Sequence, residues 1–387
     1  MNRKRKQPIV VCLDKFRGSA SAADACHWLA EGVRAAETGH EVLERPIADG
    51  GEGTVEALAS AGYRRVGTRA TGPLGSPIDA HIAVRGDLAV VELTQASGLD
   101  LLPKQDRAPL LASTYGTGEL LRAALDLGCR EIVLAVGTSA STDGGAGLLQ
   151  ALGARLLDAD GNELSPGGGA LTGVAAIDLS GLDRRLHRTR VTLACDVDNP
   201  LLGPQGTAAV CGPKKNADAG EIRILEAGLE RFSRLVAGAV GKDYSDHPGA
   251  GAAGGAGFAA LAVLRASRRS GAQFVMDELG LQRDLPGARL LIVGEGCLDA
   301  QSLRGKAPIG AAGLAAAAGV PVYAVAGQVK VTTTELAERG ISRAFALLPL
   351  AGNVKVAMAD TARLLRRVGK GIAGQIDVLA EPAPDAA

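Results

Sequence analysis

Short apolar runs punctuate the chain at Ile9–Leu13, Leu88–Leu93, Ile132–Val136, Val191–Ala194, Leu290–Val293, Val320–Ala324 and Ala344–Leu348. Each is bounded by turn residues, and most lack polar alternation. That pattern predicts parallel strands covered on both faces. Longer stretches of helical periodicity lie between several of them: Ser19–Glu37, Gly118–Leu127, Gly144–Leu152, Glu221–Val240, Gly251–Ala266, Ile309–Ala318 and Val354–Arg367. In the first, Ser21 and Asp24 make a loose capping box. Alternating strands and helices predict the α/β class. From about Tyr63 to Leu93 the rhythm breaks into two or three strands with little helix between them, as an inserted mixed module would. No repeat of fixed period occurs. The end, Glu381–Ala387, reads as a frayed tail.

Composition narrows the function. The chain has 387 residues, with 42 basic and 42 acidic side chains. At about 150 residues per domain, that length suggests two domains or one large one. A net charge of zero argues against nucleic acid as the main partner. An aromatic content of 3% argues against a base-stacking platform. The six cysteines are scattered with no C-x-x-C, which disfavours a zinc site and fits a reducing compartment. The basic start leads into an apolar stretch that stops at Asp14, too short for an export signal. No segment offers the roughly 20 strongly apolar residues of a membrane helix. A soluble cytoplasmic protein is expected, with no membrane partner; homo-oligomerisation is left open.

The candidate chemistry follows the strands. After Ile9–Leu13 comes Asp14–Ser19, and after a short strand near Val42–Ile47 comes Asp49–Thr54. Gly137–Gly147 follows Ile132–Val136, and Asp196–Pro200 follows Val191–Ala194. Gly294–Asp299, and then Ser302–Lys306, follow Leu290–Val293. In open α/β sheets, ligands bind beyond the carboxyl ends of the strands. The 53 glycines, roughly twice average usage, cluster in such loops. Loops of glycines and small hydroxyls leading into helices hold anions through backbone N–H groups. Asp49, Asp143, Asp196, Asp198 and Asp299 are acceptors suited to Mg²⁺ or to a hydroxyl proton. Lys15, Arg17, Arg304 and Lys306 can neutralise phosphoryl oxygens or grip a carboxylate. Together these are the parts phosphoryl transfer needs. The Walker P-loop and the protein-kinase motifs are absent. A formal G-x-G-x-x-G at Gly249, Gly251 and Gly254 lacks the strand that a dinucleotide site requires.

Seven pieces in order resemble the bacterial glycerate kinase family, which phosphorylates glycerate with ATP. They are Asp14–Ser19, Ala48–Thr54, Ser113–Leu120, Asp143–Gly147, Ala194–Leu201, Pro248–Gly255, and Gly294–Gly296 through Ser302–Pro308. The family often has Ser and Lys where this chain has Lys15 and Arg17, and a Gly-Ser-Ala-Thr-Asn run where it has Thr138–Thr142. It often has a basic residue where this chain has Cys297.

The resemblance implies two α/β domains. One is a flavodoxin-like (Rossmann-like) parallel-sheet domain built from residues 1–64 and 287–387. The other is an inserted mixed α/β domain, residues 65–286. It implies phosphorylation of D-glycerate at the 2-hydroxyl, giving 2-phosphoglycerate and ADP, with ATP and Mg²⁺ as cofactors. Asp196 is then expected as general base or hydroxyl orienter, and Lys306 as the charge stabiliser. Arg17, Ser19 and Arg304 would hold the substrate. Gly50, Gly51, Gly53, Ser139, Gly144 and Gly145 would approach the nucleotide, and Asp299 and Asp49 would reach the metal. The alternatives are a kinase of a related small hydroxy or sugar acid, and a non-catalytic sensor of a phosphorylated metabolite.

Overall fold

The structure is a computed structural model that describes residues 6–376. The tail Glu381–Ala387 and the basic residues ahead of Lys6 lie outside the described residues. Thirteen strands are present among the described residues: β1 (Lys6–Leu13), β2 (His40–Glu44), β3 (Arg64–Thr71), β4 (Pro77–Arg85), β5 (Leu88–Glu92), β6 (Glu131–Ala135), β7 (Arg155–Leu157), β8 (Ala176–Asp178), β9 (Arg190–Ala194), β10 (Ser267–Arg269), β11 (Leu290–Leu298), β12 (Val322–Val329) and β13 (Ile341–Ala346). The chain divides into two compact units. The first takes the residues up to Asp49 and those from Val275 onwards; the second takes Gly50–Phe274.

The first unit is a five-stranded sheet in the order β13-β12-β11-β1-β2, with every pairing parallel. Counted by the unit's own strands, this is the flavodoxin order 2-1-3-4-5. The uninterrupted apolar run of β1 has the reason expected from sequence: Ile9 to Leu13 are fully buried, covered on both faces. Helices Ala22–Arg34 and Thr361–Ile376 pack together on one face. Glycine makes that contact possible. A Cβ at Gly32 would lie 2.1 Å from the Arg366 carbonyl oxygen, and one at Gly369 would lie 2.3 Å from that of Leu29. The N-terminal capping read from sequence is present, with Ser21 Oγ accepting from the Asp24 N–H at 3.1 Å.

The second unit has a six-stranded sheet, β10-β9-β6-β5-β4-β3. Strands β10, β9, β6 and β5 run parallel, whereas β4 is antiparallel to β5 and to β3. This is the mixed module that the broken rhythm after Tyr63 predicts. Strands β7 and β8 form a separate two-stranded antiparallel sheet. The core is one continuous apolar cluster, with Phe232 and Phe258 meeting edge to face at 5.9 Å.

The units change over at 49/50 and 274/275, against the 64/65 and 286/287 expected from sequence. At the first changeover the helix Thr54–Ser60 packs on β3, β4 and β5. The buried Glu92 at the end of β5 also accepts from the N–H groups of Gly53 (3.2 Å) and Val55 (2.9 Å), tying that helix to the second unit. The second changeover falls inside the helix Gly271–Leu279. The formal G-x-G-x-x-G begins no dinucleotide turn. It precedes helix Ala252–Ala262, whose start is kinked by left-handed backbone at Ala253, Gly254 and Gly255. A Cβ at Gly251 would lie 2.1 Å from the Pro200 oxygen, and one at Gly254 would lie 1.9 Å from the Ser141 oxygen. Close packing is what these glycines permit.

Candidate active site

In the first unit, β1 and β11 are neighbours from which the chain departs to opposite sides of the sheet. Their carboxyl ends therefore form the topological switch point, where α/β sheets bind ligands. Asp14 and Glu295 each follow the paired residues Leu13 and Gly294, one residue beyond on adjacent strands. The Asp14 N–H donates to the Gly294 oxygen at 2.8 Å, and the Gly296 N–H to the Lys15 oxygen at 3.3 Å. Gly296 passes flush against the loop, since a Cβ there would lie 3.2 Å from the Arg17 nitrogen.

Both acids are buried. Burial pushes the Asp14 carboxyl up to about 7; Lys15, with Nζ at 3.9 Å, opposes this, while the charges of Asp49 and Glu295 reinforce it. Burial likewise raises Glu295, against the pull of Lys306, whose Nζ is 3.3 Å from Glu295 Oε2. Two acids and two lysines thus crowd one strand-end crevice. Arg17 is exposed beside it, next to Gly18 at φ 78°. Ser19 Oγ donates to the Phe16 oxygen at 3.0 Å, which folds the loop back on itself.

Beyond β11, Asp299 Oδ1 accepts from the N–H groups of Gln301 (2.9 Å) and Ser302 (3.1 Å) and from the Ser302 hydroxyl (3.3 Å). Desolvation is the largest single influence and raises it, but these bonds and Lys306 together outweigh it, so Asp299 sits below the usual carboxylate range. Its first structural task is to shape the turn that delivers Lys306 to the start of helix Ala307–Ala317. The side chain of Arg304, in the same turn, lies outside the described residues. Asp49 is half-buried, close enough for its charge to act on Asp14. Among the described residues, no group of three or more His, Cys, Asp or Glu side chains is gathered to hold a metal ion.

In the second unit, the carboxyl ends of β5, β6, β9 and β10 lie side by side. The loops that follow them meet the Gly50–Gly53 turn. A Cβ at Gly50 would lie 2.6 Å from the Gly271 Cα, and one at Gly137 would lie 2.9 Å from the Gly51 Cα. Gly53 has φ +91° and open space where a side chain would be. Asp196 is exposed at the end of β9, with both oxygens engaged: Oδ1 accepts from the Gly271 N–H at 3.0 Å and Oδ2 from the Ala272 N–H at 2.9 Å. It caps the helix Gly271–Leu279. Asp198 pairs with Arg268 at 2.5 Å.

Ser139, Gly144 and Gly145 lie deeper than the sequence implies. Gly144 meets Leu229 and Phe232, and a Cβ at Gly145 would lie 2.4 Å from that of Ala259. Their space is filled by core side chains, which leaves Gly137 and Thr138 as the solvent-facing edge of that loop.

Several buried polar residues organise these loops; Asp143 is among the acceptors read from sequence, whereas Glu92 and Lys215 are not. Asp143 is fully buried and accepts from the Thr114 N–H and hydroxyl, both at 2.8 Å, and from the N–H groups of Gly145 (3.2 Å) and Gly147 (3.3 Å). Burial raises its carboxyl, with these bonds opposing. Glu92 is a second example and Lys215, fixed beneath the Ser139–Thr142 loop, a third. Asp14 and Glu295 had a signal, an acid ending an unbroken apolar run. Lys215 had none, because Gly212-Pro213-Lys214-Lys215 reads as a solvated turn.

Residues 9–377 match the model of the glycerate kinase family. The chain belongs to this family. It is 41% identical to the glycerate kinase of Bacillus subtilis over 371 residues, covering 95% of this chain and 97% of that one. It is 39% identical to the glycerate 2-kinase of Escherichia coli over 374 residues, covering 96% and 98%. The crystal structure of the protein assigned as glycerate kinase 2 from Salmonella typhimurium LT2 superposes with a TM-score of 0.81 at 39% identity, over 96% of this chain and 99% of that chain. The α/β architecture and the motif resemblance read from sequence agree with this membership. Membership implies small-molecule substrates, one of them a nucleotide. No helix among the described residues is long and apolar enough to cross a membrane.

Proposed function

We propose that this chain transfers the γ-phosphoryl group of ATP to the 2-hydroxyl of D-glycerate, giving 2-phosphoglycerate and ADP. The observation that carries this reading is end-to-end similarity, at about 40% identity, to proteins named glycerate kinase and glycerate 2-kinase. The strand-end chemistry supports it. Lys306, held by Glu295, supplies a fixed cation for charge developing on the transferring phosphoryl group. Arg17 and Arg304 grip the substrate carboxylate, with Ser19, in the loop of Arg17, helping. The backbone of Gly50, Gly51 and Gly53, together with the loop anchored by Ser139, takes the nucleotide phosphates. Asp196 orients the acceptor hydroxyl or takes its proton.

Magnesium is usually bound by one or two carboxylates plus substrate phosphates. Asp49 and Asp299, whose Oδ2 is not part of the turn, are the residues suited to hold it. When bound, the ion neutralises phosphate charge. A cytoplasmic location goes with the reading, because ATP is available there.

Asp196→Asn is the direct test of the assignment to that residue. Asparagine caps a helix nearly as well as aspartate, so the fold should persist. Turnover is expected to drop about 100-fold or more if the carboxylate handles the hydroxyl proton. An unchanged kcat removes Asp196 from the chemistry and leaves it as a cap.

A further inference from the structure

The geometry points to Lys215 as the positioning residue of the Gly137–Thr142 loop, setting from within the edge that meets the nucleotide phosphates. The inference rests on reading that loop as the phosphate site. Lys215 is 2% exposed, at the end of the 3₁₀ turn Pro213–Lys215. Its ammonium reaches a segment more than 70 residues earlier. It donates to Ser139 Oγ at 3.1 Å, to Thr142 Oγ1 at 2.9 Å, and to the backbone oxygen of Ser141. An ammonium has three donors and no acceptor, and all three donors are used here. The Ser139 hydroxyl in turn donates to the same Ser141 oxygen at 2.9 Å, closing the network. From other directions the Leu99 N–H holds the Thr138 oxygen at 3.0 Å, and the Ala140 N–H donates to the Ser97 oxygen at 2.8 Å. Only Gly137 and Thr138 keep a face to solvent.

Two features set this lysine apart from a simple structural peg. First, its direct hydrogen-bond partners are neutral oxygens of the loop, so the positive charge is held against the loop itself rather than in a contact ion pair. Burying a cation is costly, and here three hydrogen bonds offset the cost. Second, the buried Ser141 hydroxyl in the same loop has no hydrogen-bond partner. The titratable groups facing Lys215 are Cys211 on the preceding helix and Asp143 at the end of the loop, and both charges favour the ammonium. Burial outweighs them and brings the lysine down to about 8. A neutral amine has two donors and one lone pair, so a hydroxyl such as that of Thr142 must reverse to donate to it, and the positive charge behind the loop is lost. The loop should therefore loosen as pH rises past about 8.

The test compares the full chain with Lys215→Met and Lys215→Gln across pH 7 to 9, reading KM for ATP, KM for D-glycerate, kcat, and ADP binding by calorimetry. Removing a charged hydrogen-bond donor should raise KM for ATP roughly tenfold or more, with kcat and KM for D-glycerate within about threefold. In the unsubstituted chain, KM for ATP should climb between pH 7.5 and 9, and the Lys215→Met variant should lack that climb. A folded variant with unaltered KM for ATP, or an unsubstituted chain whose KM for ATP stays flat to pH 9, overturns the inference. Should both variants fail to fold, the pH series of the unsubstituted chain decides alone. A chain with neither ATP-dependent turnover nor nucleotide binding fails as a kinase, a separate result from a kinase indifferent to Lys215.

Discussion

Asp14 shows how burial turns a common side chain into a specialised one. Its carboxyl stands at about 7 in the folded chain against an ordinary 3.8, first because it is desolvated and then because Asp49 and Glu295 add like charge. Between those two values the native state binds more protons than the unfolded state. Stability is therefore greatest below the lower value and falls as pH climbs through the window. Asp14→Asn removes the ionisation and keeps a carbonyl oxygen to accept the Lys15 N–H, now at 2.6 Å from Oδ1. The variant should gain on the order of 4 kcal/mol near pH 8 and little near pH 4. Urea denaturation at the two pH values reads the difference; an equal effect at both would show that burial does not raise the Asp14 carboxyl. Asp14 and Asp196 contrast instructively. The first is hidden in a crevice and resists ionisation, and the second is exposed with both oxygens capping a helix, so the two cannot serve the same chemical role by default.

At the scale of elements, single buried acids fasten loops to helices. Asp143 ties the Asp143–Gly147 turn to the start of helix Tyr115–Asp126 through Thr114, whose hydroxyl in turn accepts from the Leu148 N–H at 2.9 Å. Asp143→Ala would strand several buried donors at once. It should cost about 3 kcal/mol or more, measured by denaturation, whereas Asp143→Asn should cost clearly less because an acceptor remains.

The legibility of such elements in the sequence was uneven for physical reasons. Strands β1, β5, β6 and β9 announce themselves, because parallel strands buried on both faces must be apolar throughout. Helix Thr54–Ser60 did not, since its start is organised by Glu92, distant in sequence. The expected helix Gly251–Ala266 ends at Ala262 and gives way to β10, a three-residue exposed strand with no apolar signature. The expected helix Val354–Arg367 is two helices, Val354–Ala359 and Thr361–Ile376. The polar strand-end loops were legible as a set because anion binding and tight turns demand glycine, small hydroxyls and acids. Which of those glycines face a ligand was not, because Gly144 and Gly145 are small for the sake of the core behind them.

At the scale of the molecule, each unit has a sheet and an apolar core of its own, and the first draws on both ends of the chain. The only tryptophan, Trp28, lies on helix Ala22–Arg34 in the first unit, with the Arg366 guanidinium 6.0 Å from its ring centre. Its fluorescence therefore reports on that unit, while far-ultraviolet circular dichroism reports on both. Separate cores predict that the two signals will not coincide in a urea titration. Superimposable transitions would mean that the units unfold as one.

The catalytic reading is tested most directly by supplying ATP and magnesium with a panel of small hydroxy acids, following ADP release and identifying the product by ³¹P NMR. D-Glycerate should give the fastest release, with 2-phosphoglycerate as the phosphorylated product. ADP release that prefers another hydroxy or sugar acid, or phosphorylation at the 3-hydroxyl, would contradict the assigned substrate chemistry; nucleotide bound without any transfer would contradict the kinase itself.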